Sequence, residues 1–204
     1  DFVNIDYVGR VDGKIFDLTD ESLAKEEGIY EDNKKYGPIT IAVGAGHLIK
    51  GIDDALVGKE AGTEFEIDVK PEKGFGRKDP KLLKIIPERI FKEQKVSPVP
   101  GMTVSVDGMM GRVISSSGGR AIIDFNHPLA SKILSYKVTI NKMIDDKDEQ
   151  LKGLIEIYSG LEPENYKLSI LEKKAKVEFT GSKKIAENIR KFIIEDSKEY
   201  IGLE

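Results

Sequence analysis

The chain has 204 residues, 39% of them hydrophobic and 33% charged, with a formal net charge of −4. It can therefore bury a core, and it lacks the basic excess of a protein built to grip nucleic acid. With no cysteine and only two histidines, His47 and His127, it has no disulfide framework, no thiolate metal site and no multi-histidine zinc site.

Taken in chain order, "DFVNIDYVGRVDGKIFD" alternates Val3, Ile5 and Tyr7 with polar residues, which predicts a strand. Asp12-Gly13 predicts a hairpin turn and Lys14–Asp17 the return strand. Thr19 or Asp20 caps a short helix that Gly28 ends, followed by a charged surface flap to Gly37. Pro38–Val43 is a strand, 47–57 a short helix with His47 exposed at its start, and Glu64–Val69 a strand with Phe65, Ile67 and Val69 on one face. Residues 83–127 differ in character: Pro87, Pro98 and Pro100 punctuate the entry, and three short strands follow, joined at Asp107-Gly108 and at a Ser-Ser-Gly-Gly turn. Leu134, Tyr136, Val138 and Ile140 alternate as a strand. Beyond Asp145, Leu151, Leu154, Ile155 and Tyr158 predict an amphipathic helix ended by Gly160 and Pro163. A hairpin over Tyr166–Ile170 and Ala175–Phe179 and a helix capped by Ser182, with Ile185, Ile189, Phe192 and Ile193 on its stripe, complete an α-β-β-α unit. Its two-stranded sheet needs a partner layer, which either its own chain or a second copy supplies. No apolar run approaches the ~20 residues that span a bilayer, so no membrane partner is expected. No secretory signal is visible, and a cytoplasmic location is expected. The weight of Lys, Glu and Ile points weakly to a thermophile, and Asp1 at the start fits a natural N-terminus upstream.

Several separate motifs occur in one order: "YVG", "GKIFD", the glycine-flanked helix "GHLIKGIDDAL", "PEKGFG" and "NHPLA". Together they resemble the FKBP-type peptidyl-prolyl isomerases, and more narrowly the SlyD-like and archaeal long-type members with an insert in the flap. The resemblance covers roughly residues 1–145. It implies an α+β fold, a twisted antiparallel sheet wrapped on a short helix. It also implies three domains: a discontinuous isomerase domain of 1–82 and 128–145, an insert-in-flap chaperone domain of 83–127, and a C-terminal domain of 146–204, whose thin sheet leaves a homodimer and packing on its own chain as the two expectations. The implied activity is peptidyl-prolyl cis-trans isomerisation, with unfolded or partly folded proline-containing polypeptides as partners and with no cofactor or metal.

The resemblance assigns Tyr7, Asp17, Ile49, Ile52, Phe75 and Tyr136 to catalysis, and Phe16, Ile39, Leu48 and Leu129 to the same apolar pocket. Ile52 forms its floor, Tyr7 and Asp17 its polar rim, and Phe75 and Tyr136 its aromatic walls. The Ile49 N–H serves a substrate carbonyl. The chain departs from well-known members at Ile52, often Trp, at Ile39, often Phe, and at Phe75, often a ligand-contacting Tyr. These changes keep the pocket apolar but bear on tight macrolide binding. Taken singly, Ile39, Leu48, Ile49 and Ile52 would be core residues in any small barrel, and Asp17 a turn residue. His127 reads as a junction residue at the return from the insert.

Met102, Met109 and Met110 suit a surface that holds unfolded chain, because methionine adapts to varied partners; the competing reading places them in the insert's own thin core. The insert also resembles small SH3-like barrels that bind RNA. Its Lys84, Arg89, Lys92, Lys95, Arg112 and Arg120 are mixed with Glu88, Glu93, Asp107 and Asp124, and there is no basic stripe with interleaved aromatics. The histidine-rich metal-binding tail of many SlyD-like proteins has no counterpart here. A non-enzymatic holdase is the alternative reading of the whole.

Overall fold

The computed structural model describes residues 1–93, 95–180 and 185–203. The chain divides into two compact units, Asp1–Val69 with Ile133–Glu204, and Lys70–Lys132.

The first unit is built on a five-stranded antiparallel sheet. β1 (Phe2–Val11) pairs from Phe2 to Arg10 with β9 (Leu134–Ile144), which pairs in turn with β4 (Glu64–Val69). The other edge of β1 is shared end to end by β3 (Ile39–Ala42) and β2 (Lys14–Leu18). Asp12 and Gly13 have φ of 50° and 79°, so the β1–β2 turn takes the two-residue geometry whose twist matches its strands. Asp20 caps α1 (Glu21–Glu26) by accepting the Leu23 N–H at 3.0 Å.

Helix α2 (Lys50–Leu56) starts three residues later than its apolar spacing suggests. The segment before it is held in another shape. Asp53 accepts the Gly44 N–H at 2.8 Å and the Gly46 N–H at 3.2 Å, and the His47 ring accepts the Ala42 N–H at 3.3 Å. Residues 43–49 therefore form a folded loop. The Ile49 carbonyl opens the helix, accepting Ile52 N–H at 3.0 Å. Ile52 and Leu56 are buried, each stabilising by roughly 1.5–3 kcal/mol. Gly51 lets α2 settle on β4, since a Cβ there would lie 2.5 Å from Val69 Cγ1.

Strand register places Val69, Phe65, Val138, Tyr136 and Tyr7 on the α2 face, and Phe2, Asn4, Thr40 and Ala42 on the opposite face. That second face carries α4 (Lys147–Ser159), capped by Asp146 and ended at Gly160 with φ 65°. A Cβ on Gly153 would lie 2.5 Å from Thr40 Cγ2, so this glycine sets the close approach of helix to sheet. Phe2, Ala42 and Ile144 share one core with Leu151, Leu154 and Ile155 of α4, with Ile193 of α5 (Glu187–Asp196), and with Ile201 and Leu203. The hairpin of β10 (Tyr166–Leu171) and β11 (Lys174–Phe179) packs on the same core through Tyr166, Leu168 and Val177. Segment 146–204 thus belongs to the same compact unit as the sheet. Ser182, expected to cap its last helix, lies outside the described residues.

The second unit is a four-stranded antiparallel sheet in the order β5 (Leu83–Pro87), β8 (Arg120–Asp124), β7 (Met109–Ser117), β6 (Thr103–Val106). The sequence announces three of these strands. β5, LKIIP, is obscured by its lack of alternation and by Pro87, which an edge strand tolerates because it need not donate there. Helix α3 (Glu88–Glu93) follows it and buries Phe91 with Val104, Val106, Val113, Ala121 and Ile123. The neck belongs to this unit: Asp79 N–H donates to Asn126 Oδ1 at 2.7 Å, Lys78 pairs with Asp124 at 2.7 Å, and Ser131 N–H donates to the Gly76 carbonyl at 2.8 Å. No helix among the described residues is long and apolar enough to cross a membrane.

Candidate active site

Three elements bring Tyr7, Phe16, Asp17 and Tyr136 together. β1 and β2 pair Gly9 with Asp17, and β1 and β9 pair Gly9 with Tyr136. Gly9 is the hub of this arrangement: a Cβ there would lie 2.7 Å from Tyr136 Cε1 and 3.0 Å from Phe16 Cζ. Its only sequence signal was its place after Tyr7-Val8. With Gly9 beneath them, the Phe16 and Tyr136 rings meet edge to face at 5.7 Å, and Tyr7 lies 6.1 Å from Tyr136.

The polar edge is a short relay. Tyr7 O–H donates to Asp17 Oδ2 at 2.8 Å, and Lys34 Nζ, from the flap, donates to Asp17 Oδ1 at 2.5 Å. The β1–β2 frame behind it is fixed by Thr19, whose hydroxyl accepts the Tyr7 N–H at 3.1 Å and donates to Asp6 Oδ1 at 2.5 Å. Burial, then the Asp17 carboxylate, push the Tyr7 phenol well above its ordinary value. The same two causes push Tyr136 up to about 12. Both hydroxyls stay protonated at any physiological pH, so they act as hydrogen-bond donors and not as bases. Lys34 was not singled out from the sequence, because its partner lies 17 residues away across a flap without periodicity.

Ile52 is buried on α2, and Leu48 and Ile49 are half-buried in the loop that leads into it. Ile39, also half-buried, pairs with Ile5 on β3. His47, expected at an exposed helix start, is a correction: its side chain is only 3% exposed. The loop closes on itself and draws the ring inward to the Ala42 N–H.

Phe75 and Leu129 belong to the second unit. There Phe75 stacks face to face on His127, with ring centroids 4.2 Å apart and planes 3° apart, and the Leu129 N–H donates to His127 Nδ1 at 3.2 Å. His127 thus organises the turn that follows β8. Met102, Met109 and Met110 are all exposed and none belongs to the insert core, though register puts only Met110 on the outward sheet face. Met109 pairs with Val106 and so lies at the margin of the inner face.

A hollow of about 630 Å³ opens on the sheet face opposite the Tyr7 ring, lined by Asp6, Arg10, Glu64, Lys137 and Thr139 among others. Its charged lining distinguishes it from the aromatic cluster. Among the described residues no group of histidine or acidic side chains could hold a metal ion.

Residues 1–92 match the family model for FKBP-type peptidyl-prolyl cis-trans isomerases, and residues 84–129 match the model described as the FKBP26 IF domain. A "Short-type peptidyl-prolyl cis-trans isomerase" of Methanocaldococcus jannaschii is 37% identical over 140 residues, covering 69% of this chain and 89% of the relative. A "Probable FKBP-type 16 kDa peptidyl-prolyl cis-trans isomerase" of Pseudomonas fluorescens is 35% identical over 108 residues, covering 50% of this chain and 71% of the relative. The "FKBP-type peptidyl-prolyl cis-trans isomerase SlyD" of Yersinia pestis is 28% identical over 132 residues, covering 62% and 67%. With its α+β architecture, its antiparallel sheet against a short glycine-flanked helix and these matches, the chain belongs to the FKBP-type peptidyl-prolyl cis-trans isomerases, in the SlyD-like branch that carries an insert.

Proposed function

We propose that isomerisation takes place in an apolar pocket formed by Tyr7, Phe16, Asp17, Ile39, Leu48, Ile49, Ile52 and Tyr136, all of the first unit, and that the insert holds unfolded polypeptide. The single observation that carries the reading is the aromatic cluster seated on Gly9, with the Tyr7–Asp17 hydrogen bond at its edge. An Xaa-Pro bond prefers trans by only about 0.5–1 kcal/mol, but the barrier between isomers is ~18–20 kcal/mol. That barrier is amide resonance, whose dipolar form water favours. Apolar walls disfavour the planar, resonant ground state relative to the twisted one, and a cavity shaped for the twisted bond adds differential binding. Each ~1.4 kcal/mol gained in this way is worth a factor of ten. No nucleophile and no cofactor is required. The Ile49 N–H orients the substrate through a carbonyl, and Tyr7 with Asp17 supplies the polar edge.

The insert's contribution is supported by its outward sheet face, where Leu83, Ile85, Met110, Ile114 and Ile122 are exposed on three adjacent strands, Met110 at 63%. Exposed apolar side chains on one face of a small sheet, with Arg112 and Asp124 among them by register, offer a surface to another chain.

The pocket is tested with Tyr7→Phe combined with Asp17→Ala, by NMR exchange on a short Xaa-Pro peptide. The rate constant is expected to fall roughly ten-fold or more. An unchanged rate in the folded double variant would sink the pocket assignment.

A further inference from the structure

The loop 43–49 is braced from two directions. From within its own fold, Asp53 holds the Gly44 and Gly46 amides, as described above. From the C-terminal segment, Asp196 at the end of α5 reaches His47: Nε2 lies 3.0 Å from Asp196 Oδ2 across 149 positions of sequence. The ring's tautomer follows from its two neighbours. Nδ1 accepts the Ala42 N–H at 3.3 Å, so Nε2 carries the proton and donates it to Asp196.

Tyr158 of α4 completes the cluster. Its O–H donates to the same Asp196 Oδ2 at 2.5 Å, and its ring meets the His47 ring edge to face at 5.3 Å. Phe192 of α5 stacks on Tyr158, with ring centroids 5.7 Å apart. Burial, then the hydrogen bond to Asp196, push the Tyr158 phenol well above its ordinary value, so it remains a donor. The His47 side chain is 3% exposed and that of Asp196 is 15% exposed. A carboxylate so largely withdrawn from water is costly unless it is hydrogen-bonded. His47 and Tyr158 supply two donors there. The helix then leaves α geometry at Ser197–Ile201, a π-helical turn that begins at the residue after Asp196.

His47 is covalently followed by Leu48 and Ile49, the two pocket residues of the loop. We propose that Asp196 and Tyr158 are positioning residues for isomerisation: through His47 they fix the loop that presents Leu48 and Ile49, so the C-terminal helices set the geometry of the substrate pocket. This rests on the pocket reading above, and specifically on the substrate contact of Ile49. The C-terminal segment thereby has a role in the enzyme beyond added core. The effect on catalysis is geometric. A loop that shifts by a fraction of an ångström misplaces the Ile49 N–H relative to a substrate carbonyl without emptying the pocket.

The test uses the full chain. Asp196→Ala, Asp196→Asn and, as a control, Leu168→Ala are compared with the wild type for kcat/KM on an Xaa-Pro peptide, for the amide signals of Leu48 and Ile49, and for Tm. Leu168 packs on the same core but makes no bond to the cluster. Asp196→Ala is expected to lower kcat/KM roughly three- to ten-fold and to move the Leu48 and Ile49 signals. Asp196→Asn, which keeps one acceptor oxygen for both donors, restores most of the rate. Leu168→Ala lowers Tm with little change in kcat/KM. A folded Asp196→Ala with wild-type kcat/KM and unmoved Ile49 signals would overturn the proposal. So would a rate loss that follows Tm alike in Leu168→Ala. The reading beneath it is checked separately: peptide titrated into the wild type is expected to shift the Ile49 amide, and the absence of any shift would remove both.

Discussion

Tyr7 and Tyr136 keep their hydroxyls in poor solvent beside a carboxylate, and that has a consequence for stability at high pH. In the unfolded chain a tyrosine releases its proton near pH ~10. In the folded protein burial and Asp17 hold the Tyr136 proton to about 12 and raise Tyr7 in the same direction. Above ~pH 10 the folded state therefore binds more protons than the unfolded one, and stability falls as pH rises. Below that value the contribution is fully present. We expect Tm to fall between pH 9 and 11.5 with a slope that Tyr7→Phe and Tyr136→Phe each reduce, measured by circular dichroism at constant ionic strength. Equal slopes in wild type and variants would show that these phenols are not the groups responsible.

Helix α2 is short because both its ends are tied, and its seat on the sheet is set by one missing side chain. In an exposed helix Ala in place of Gly stabilises by roughly 0.5–1 kcal/mol. At Gly51 the added methyl would lie 2.5 Å from Val69 Cγ1, and overpacking of this kind costs about 1–3 kcal/mol. Packing is the larger effect, so Gly51→Ala is expected to lower stability in urea unfolding; a gain would contradict the close packing of α2 on β4. The same comparison explains which elements were legible in the sequence. Strands β1, β4 and β9 and the turns at Asp12-Gly13 and Asp107-Gly108 rest on alternation and on local backbone chemistry, both written in neighbouring residues. The start of α2 was not legible, because it depends on Asp53 reaching back to Gly44 and Gly46. β5 and α3 carry no readable period, since LKIIP does not alternate and ERIFKE is too short for a helical stripe. The Tyr7, Phe16, Asp17 and Tyr136 grouping was carried by the order of motifs. His47 could not be placed, since its partner Asp196 is far away in sequence.

At the scale of the molecule, an FKBP-type isomerase has been extended twice. One extension, within Lys70–Lys132, is a sheet with its own core, and its outward face leaves Leu83, Ile85, Met110, Ile114 and Ile122 in water. The other, α4 to α5, covers the sheet face opposite α2 and continues its core, with Gly153 against Thr40 at the seam. On the reading proposed here the three parts have separate tasks: the pocket lowers the barrier, the C-terminal helices hold the pocket loop, and the insert raises the local concentration of unfolded chain. A short peptide carries its proline to the pocket unaided, whereas a long unfolded chain gains from being held. The most direct test is therefore one protein, Ile85→Ser with Met110→Ser and Ile122→Ser, assayed on two substrates. These side chains are exposed, so the fold should survive their loss. The account predicts wild-type isomerisation of the Xaa-Pro peptide together with a roughly ten-fold slower catalysis of proline-limited protein refolding. Equal loss on both substrates, or refolding catalysed as fast as by the wild type, would contradict it.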